Sequence, residues 1–282
     1  MQDNRTIKWP NGARCAVMYS FDYDGETIFQ DKPEGKEWVW PRQESIGRYG
    51  PSRGIYHLLK MLKENDVKAT FFTPAKTALD FPESIRAIVA DGHEVGQHGY
   101  YHEDIFGSLP EKEQRELIES CQKVLIKIAG KPASGFRSPC GDYNTIKTAE
   151  ILQDFGFSYS SSMRGDDRPY RTIINGQESD FIEIPAKWEL DDYPFFIYSY
   201  FPVLPESQDR IAGYDAVLNN WKMEFDGYYK EGLCFVMMNH PLISGLPGRV
   251  QLHDQFIKYI KSFPDVWFAT GSEIAQWWRT NY

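Results

Sequence analysis

The sequence lacks an apolar run long enough to cross a bilayer, and its N-terminal residues lack the apolar core of a secretory signal. It is also poor in basic residues, because 31 Lys and Arg stand against 40 Asp and Glu, for a net charge of −9. This balance argues against a nucleic-acid or anionic-membrane surface. We therefore expect a cytoplasmic protein with neither nucleic acid nor membrane as a partner.

Cysteine is scarce as well: the four cysteines show no CxxC spacing and no small disulfide framework. Cys15, Cys121 and Cys234 lie in apolar patterns and are expected to be reduced core residues, whereas Cys140 lies in a polar loop. Hydrophobic residues make up 41% and aromatic residues 15% of the chain. That content supplies a sizeable core and argues against global disorder.

The 282 residues show no internal repeat and no low-complexity linker, so we expect a single domain over residues 1–282. Short β-rich apolar segments alternate with helical patterns, which indicates a parallel α/β architecture. With seven or eight such units, a barrel is favoured over an open sheet. The predicted strands are residues 15–21, 67–72, 94–97, 134–137, 158–161, 181–184, 233–239 and 266–269.

Three local features are predicted between these strands. Residues 30–50 have no clean periodicity and are expected to be a long loop, either a surface insertion or a substrate lid. Ser52 is expected to cap the helix that follows it. Ser108 and Glu111 match a capping box, with Pro110 in the first turn.

Polar residues follow several of the strands at their carboxyl ends, which is where α/β proteins build active sites. Asp22 and Asp24 end the first strand, and two acids separated by one residue point the same way on an extended chain. His98 and His102 follow the third strand with the i, i+4 spacing of a helical turn that grips one metal ion. Two histidines and one aspartate suit Zn²⁺ or another borderline metal. The alternatives are a turn rich in aspartate and two ordinary surface histidines.

Two further residues fit acid/base chemistry. His240 ends a buried strand just before Pro241, where a histidine can protonate a leaving amine. Arg137, if it lies near Asp22, would hold that carboxylate ionised and oriented. A structural histidine and a surface arginine are the alternatives.

Four ordered motifs together resemble the polysaccharide deacetylase family: Ser20-Phe21-Asp22-Tyr23-Asp24, His98-Gly99-Tyr100-Tyr101-His102, Arg137-Ser138-Pro139-Cys140-Gly141 and Asn239-His240-Pro241. The resemblance runs over almost the whole chain. It implies a distorted (β/α) barrel and a metal-dependent deacetylation. The third motif departs from the usual pattern, because Cys140 stands where tyrosine is common. Other segments resemble an intracellular subgroup of cyclic imide hydrolases and of peptidoglycan-deacetylase-like and allantoinase-like proteins.

Carried over residue by residue, the resemblance implies that Asp22 is the general base and His240 the general acid. It implies that Asp24, His98 and His102 bind one divalent ion, most simply zinc. Arg137 would tether the base, and the backbone N–H of Cys140 would help to bind the oxyanion. No cofactor other than the metal is implied. The subgroup also implies a homo-oligomer, often a tetramer.

The substrate stays open between two classes, an N-acetylated amino sugar of a cell-wall polymer and a small cyclic imide or ureide. A third reading is a catalytically silent barrel that serves as a binding or assembly module. Asp191 and Asp192 are candidates for orienting His240 or binding substrate. An aromatic segment is a candidate pocket wall, with core packing as the alternative; its members are Trp188, Tyr193, Phe195 and Phe196.

Overall fold

The computed structural model describes residues 7–29, 41–103, 106–139, 145–198 and 211–282. Its strands are β1 (Cys15–Asp22), β2 (Thr70–Thr73), β3 (Glu94–Gln97), β4 (Gly135–Phe136), β5 (Tyr159–Ser160), β6 (Tyr170–Ile174), β7 (Gln177–Glu183), β8 (Cys234–Asn239) and β9 (Val266–Phe268). Its α-helices are α1 (Pro41–Tyr49), α2 (Ile55–Glu64), α3 (Ala75–Asp80), α4 (Pro82–Ala90), α5 (Glu111–Ala129), α6 (Thr145–Asp154), α7 (Tyr193–Phe196), α8 (Tyr214–Glu231), α9 (Pro241–Ser244), α10 (Pro247–Lys261) and α11 (Gly271–Asn281).

All of these strands belong to one curled sheet with the order β6-β7-β5-β4-β3-β2-β1-β8, and β9 pairs with β1. Every pairing is parallel except β6 with β7. A single parallel bridge between Asp191 and Met238 joins the segment after β7 to β8 at the far edge. The predicted distorted barrel is therefore confirmed, and its parallel strands all present their carboxyl ends at one rim.

The antiparallel strand β6 was not predicted from the sequence. Its residues are mostly half-buried rather than buried, so the apolar signal of a core strand is weak. Asn175 and Gly176, both with positive φ, turn β6 back onto β7. An Asn-Gly pair between two β-rich runs is a strong hairpin signal, and it was present in the sequence.

The alternation of side chains along β1 decides which residues enter the barrel. Val17 and Tyr19 pack in the cluster under the helices, whereas Ala16 and Met18 pack in a second cluster on the other face. Because side chains alternate on a strand, Asp22 shares the inner face with Ala16 and Met18. The strand therefore fills the barrel with apolar side chains first and places a carboxylate at its rim.

The structure corrects two predictions for this region, the loop over residues 30–50 and the helix cap at Ser52. Residues 41–49 form α1, which continues through a π-helical turn, Gly50–Gly54, into α2, so this part of residues 30–50 is helical rather than a loop. Ser52 lies inside that stretch, where its hydroxyl donates to the Arg48 carbonyl. The first part of the expected loop, residues 30–40, lies outside the described residues.

The predicted capping box at the start of α5 is also wrong, because the N-cap position is Pro110, whose ring has no polar atom to form the capping hydrogen bond. Ser108 lies two positions before the N-cap, in the 3-10 turn Phe106–Ser108. Glu111 instead pairs with Arg115 and Lys147. A reciprocal capping box does start α11.

The π-helical turn is relevant to the site because it packs against α9, the helix that begins directly after His240. Gly54 and Gly245 meet there so closely that a Cβ on either would collide with backbone. Only glycine allows that approach. The segment expected to be a lid or an insertion therefore includes a part that supports the rim.

Cys15, Cys121 and Cys234 are free and buried, as predicted. Burial raises the pKa of the Cys15 thiol to about 12, against a weaker effect of a backbone hydrogen bond. No described helix combines the length and the apolar character that crossing a bilayer requires.

Candidate active site and metal centre

The side chains singled out by the sequence converge at the rim of the barrel. Asp22 ends β1 and Asp24 lies two residues beyond it; His98 follows β3, Arg137 follows β4 and His240 follows β8. All five are buried. Because the strands are parallel neighbours, their carboxyl ends bring together residues that are far apart in sequence.

Asp22 and Arg137 form a buried ion pair. Arg137 Nη1 donates to Asp22 Oδ1 at 2.7 Å, and its Nε and Nη2 donate to the carbonyl and hydroxyl of Ser161. The guanidinium also lies over the Phe72 ring, 4.2 Å from its centre. Burial alone would raise the pKa of Asp22, but the charge and hydrogen bond of Arg137, together with the charge of His240, outweigh it and lower that pKa. Asp22 is therefore held as an oriented carboxylate.

Asp24, His98 and His102 offer ligand atoms that all lie within 4.8 Å of one another. His98 Nε2 lies 3.5 Å from Asp24 Oδ1 and 3.9 Å from Asp22 Oδ2. The other ring nitrogen of His98 donates to the Arg137 carbonyl oxygen at 2.7 Å. That bond fixes the tautomer and directs the Nε2 lone pair at the cluster.

The two histidines are not on a helical turn, and this part of the prediction is wrong. Gly99 and His102 both have positive φ, so the chain folds back on itself between them. Glu103 accepts hydrogen bonds from the backbone N–H groups of Tyr100 and Tyr101 and holds the loop in this shape. The rings still meet, with centroids 5.1 Å apart.

The residues fit a divalent metal ion. Both carboxylate oxygens of Asp24 are buried without a hydrogen-bond donor among the described residues. An unsatisfied buried carboxylate is costly unless a cation compensates it. Burial lowers the pKa of His98, against the opposing charges of Asp22 and Asp24, so the imidazole is in the neutral form that a ligand requires.

His240 lies on the other side of Asp24 and is tied to two further aspartates. Its Nδ1 bonds Asp192 Oδ1 at 2.6 Å and lies 3.6 Å from Asp191 Oδ1, and its Nε2 lies 3.8 Å from Asp24 Oδ2. Burial lowers the pKa of His240, but the Asp192 charge and hydrogen bond outweigh it and raise that pKa to about 10. His240 is thus poised as an imidazolium that can give up a proton from Nε2.

A hydrogen-bond chain extends behind Asp192 into the helical layer. The Ser244 hydroxyl donates to Asp192 Oδ2, and His253 Nε2 lies 2.7 Å from that hydroxyl oxygen. His253 Nδ1 bonds the Tyr19 hydroxyl. Burial lowers the pKa of His253 to about 4, so it is neutral, with Nε2–H donating to Ser244 and Nδ1 accepting from Tyr19.

Asp191, Asp192 and His240 also meet the distance condition for a metal site, but each already makes hydrogen bonds through Asp191 Oδ1, both Asp192 oxygens or His240 Nδ1. Asp192 accepts from the backbone N–H and Nδ1 of His240 and from Ser244. Asp191 accepts from the Tyr193 N–H. This group is therefore the hydrogen-bonded support of His240.

The other predicted residues have mixed outcomes. Cys140, with its proposed backbone N–H, lies outside the described residues. In the aromatic segment, Trp188 is half-exposed at the rim and the Tyr193 ring lies 5.3 Å from that of His240. Phe195 and Phe196 are wrong as pocket-wall residues, because α7 turns both rings onto Trp221 in the core.

The sequence reasoning missed the residues that hold Arg137 in place. Glu183, at the end of β7, is buried and accepts from the backbone N–H groups of Ser162 and Met163. Ser162 in turn accepts from the Ser138 N–H, beside Arg137. The three consecutive serines after Tyr159 were the available signal, because polar side chains at a strand end seldom serve packing alone.

Comparison with known proteins places the chain among relatives of similar length. A family model for polysaccharide deacetylase matches residues 49–160. A peptidoglycan deacetylase of Helicobacter pylori is 32% identical over 92% of this chain and 94% of its own length. The chain therefore belongs to the polysaccharide deacetylase family, whose members are hydrolases that act on amide bonds.

Solved structures agree with this assignment. A putative polysaccharide deacetylase from Mycobacterium smegmatis superposes with a TM-score of 0.89 at 32% identity, covering 98% of this chain and 93% of its own. The Puue allantoinase superposes with a TM-score of 0.83 at 25% identity, covering 100% of this chain and 95% of its own. The prediction of a metal-dependent hydrolase of carbon–nitrogen bonds is confirmed.

Proposed function

We propose that this protein removes the acetyl group from an N-acetylated amino sugar of the kind found in peptidoglycan. The observation that carries the proposal is the orphaned, buried Asp24 carboxylate, which faces two histidines, with Asp22–Arg137 on one side and His240–Asp192 on the other. The similarity to the Helicobacter pylori peptidoglycan deacetylase supports the choice of substrate.

The chain's own residues account for the two proton transfers of amide hydrolysis. Asp22, kept ionised by Arg137, accepts the proton of the attacking water. His240, kept protonated by Asp192, donates a proton to the departing nitrogen. A base with a lowered pKa and an acid with a raised pKa in one site are the pairing that such a reaction needs.

The ligands Asp24, His98 and His102 would hold one divalent ion, and we propose zinc, because two imidazoles and one carboxylate suit a borderline metal. When bound, the ion supplies Lewis-acid polarisation of the amide carbonyl and a lower pKa for the attacking water.

Metal content is the first test. Elemental analysis of the purified protein should give about one zinc per chain, and His98→Ala should lose most of it. His57→Asn is the matched control, because His57 lies on α2 and contacts the Gly245 carbonyl instead of the cluster. Equal zinc in the wild type and His98→Ala would contradict the assignment of the ligands.

Acetate release is the second test. The zinc-loaded protein should release acetate from N-acetylglucosamine oligomers or from peptidoglycan fragments, and Asp22→Asn should not, although it keeps its zinc. If the zinc-loaded wild type released acetate from neither substrate, the proposed function would be wrong.

A second candidate is hydrolysis of a small cyclic imide or ureide. The similarity to the Puue allantoinase over the whole chain favours it, and the same acid/base pair would serve ring opening. Ring opening of hydantoins and imides in parallel with the acetate assay decides between the two classes. A loaded enzyme inactive on both panels would favour the silent binding module.

We also propose a cytoplasmic homo-oligomer, most simply a tetramer. The support is the subgroup resemblance together with the three unpaired cysteine thiols, which suit a reducing compartment. Light scattering at micromolar concentration should show more than one chain per particle. A monomer throughout would reject the oligomer.

A further inference from the structure

Arg164 is a cation at the barrel rim that the acid/base pair does not use. It follows β5, the strand next to β4 and therefore next to Arg137. Its backbone is held in place, because the Met163 carbonyl accepts from Ala186 N–H and the Arg164 carbonyl accepts from Lys187 Nζ at 2.9 Å.

The guanidinium of Arg164 is stacked, and one of its nitrogens is orphaned. Its central carbon lies 3.7 Å from the centre of the Trp188 ring, whose residue is 51% exposed. A guanidinium stacked through its face keeps its edge free for hydrogen bonds in the plane. Arg164 Nη1 is nevertheless buried without an acceptor among the described residues.

The charged groups around Arg164 belong to the catalytic rim. The charges that act on it most strongly are those of Arg137, Asp191, Asp22 and Glu183. Burial, reinforced by the like charge of Arg137, lowers the pKa of Arg164, and the three carboxylates oppose that effect. The geometry agrees, because Arg164 follows β5 at the rim where Arg137 follows β4, and it stacks on Trp188, which follows β7 at the same rim.

None of those carboxylates is available as a dedicated counter-ion. Asp22 is paired with Arg137, and Glu183 accepts two backbone N–H groups. Burial raises the pKa of Asp191 to about 7, despite the opposing charge of His240, so part of its negative charge is lost at neutral pH. Within the part of the chain that the structure describes, Arg164 is therefore a partly buried cation without a committed anion.

A group of this kind in an enzyme calls for a ligand. A hydroxyl or a neutral carbonyl would satisfy the hydrogen bond but leave the charge uncompensated. A carboxylate satisfies both, and its two oxygens match the free edge of a guanidinium. Because Arg164 follows β5 at the rim that also holds Asp22, we expect the substrate to carry that anion.

We propose that Arg164 is a specificity-determining residue that binds a carboxylate carried by the substrate near the amide that is hydrolysed. The inference rests on the proposed function, and it narrows the substrate class to acylated amino sugars that bear a carboxylate near the N-acetyl group. Trp188 positions the guanidinium for this contact.

The test compares N-acetylmuramic acid with its carboxamide, which has the same shape without the charge. For the wild type we expect kcat/KM to be about 10- to 100-fold higher for the acid, the range of a charge-assisted hydrogen bond. Arg164→Met keeps the length of the side chain and should abolish that preference by lowering kcat/KM for the acid to the level of the carboxamide. Arg164→Lys should restore only part of it, because the fork geometry is lost.

Arg168→Met is the matched control, because Arg168 lies in the same loop and pairs with Asp166. It should keep the preference. Calorimetric binding of the acid and the amide to the zinc-loaded protein gives a readout that does not depend on turnover. The wild type should bind the acid more tightly than the carboxamide. Arg164→Met should bind the two equally.

The outcomes separate this proposal from the proposed function. Equal binding of the acid and the amide by the wild type, no binding of either, or an unchanged preference in Arg164→Met overturns the role of Arg164. Acetate release from neutral N-acetylglucosamine oligomers would still support the deacetylase in that case. Selective binding of the acid, with no acetate released from it, from N-acetylglucosamine oligomers or from peptidoglycan fragments, would support Arg164 and refute the deacetylase.

Discussion

Arg137→Met is the substitution whose effect follows most directly from the geometry of the site. Arg137 is 2% exposed and Asp22 is 5% exposed, and they are joined by a 2.7 Å hydrogen bond. Methionine keeps the apolar stem over Phe72 but removes the charge. The Asp22 carboxylate is then left buried without its counter-ion. Such a change costs about 3–5 kcal/mol of unfolding free energy.

The double variant Asp22→Asn/Arg137→Met separates the ion pair from simple loss of packing. With both charges removed, the buried groups are neutral and of similar volume, so we expect a stability within about 1–2 kcal/mol of the wild type. The single variant should therefore be less stable than the double variant, which packing loss alone would not produce.

Urea unfolding followed by tryptophan fluorescence gives both numbers. A chelator should be present throughout, because metal binding to the native state would add its own stabilisation. If Arg137→Met lost less than about 1 kcal/mol, or if the double variant were no more stable than the single one, the reasoning about the buried pair would be refuted.

Three further outcomes are expected. Asp22→Asn and His240→Ala should each keep zinc and lose about 10²–10⁴-fold in turnover, with His240→Ala worst on substrates whose leaving nitrogen most needs a proton; near-normal turnover would reject the roles. Ser244→Ala should lower kcat about 3- to 10-fold with KM unchanged, because Asp192, which orients His240, loses one hydrogen bond. An unchanged kcat would show that this hydrogen bond does not contribute to the orientation of His240. Burial, aided by the Lys68 charge, lowers the pKa of His93 to about 4, so this histidine takes up its proton in the unfolded chain first as the pH falls. The thermal midpoint of His93→Gln should therefore fall less than that of the wild type between about pH 7 and pH 5. Parallel curves of midpoint against pH would contradict this.

The sequence indicated the site correctly where short spacing along the chain fixes which side chains lie together. Asp22 and Asp24 are two residues apart at a strand end, and the structure brings both within 4 Å of His98 Nε2. The i, i+4 histidine pair was read correctly as a cluster and wrongly as a helical turn. The spacing gave no information on the positive φ of Gly99 and His102, which is a property of the loop held by Glu103.

Other elements were beyond the reach of local patterns. The helical state of residues 41–54 depends on packing against α9 through Gly54 and Gly245, which are 191 residues apart. The series of hydrogen bonds from Asp192 through Ser244 and His253 to Tyr19 joins four separate segments, so no sequence spacing could indicate it. Arg164 was missed for the same reason.

The sequence by itself determined the strand–helix alternation, the apolar strands and the polar residues that follow them. The reason is that the periodicity of buried residues, and the polar residue at the end of a strand, both depend on residues that are close together in the sequence. Only the tertiary structure decided which of those polar groups are paired and which are left open. Arg137 is neutralised by Asp22, His240 by Asp192, whereas Asp24 and Arg164 keep buried atoms without partners among the described residues. That distinction depends on distances across the curled sheet, and those distances exist only once the parallel strands have met at one rim.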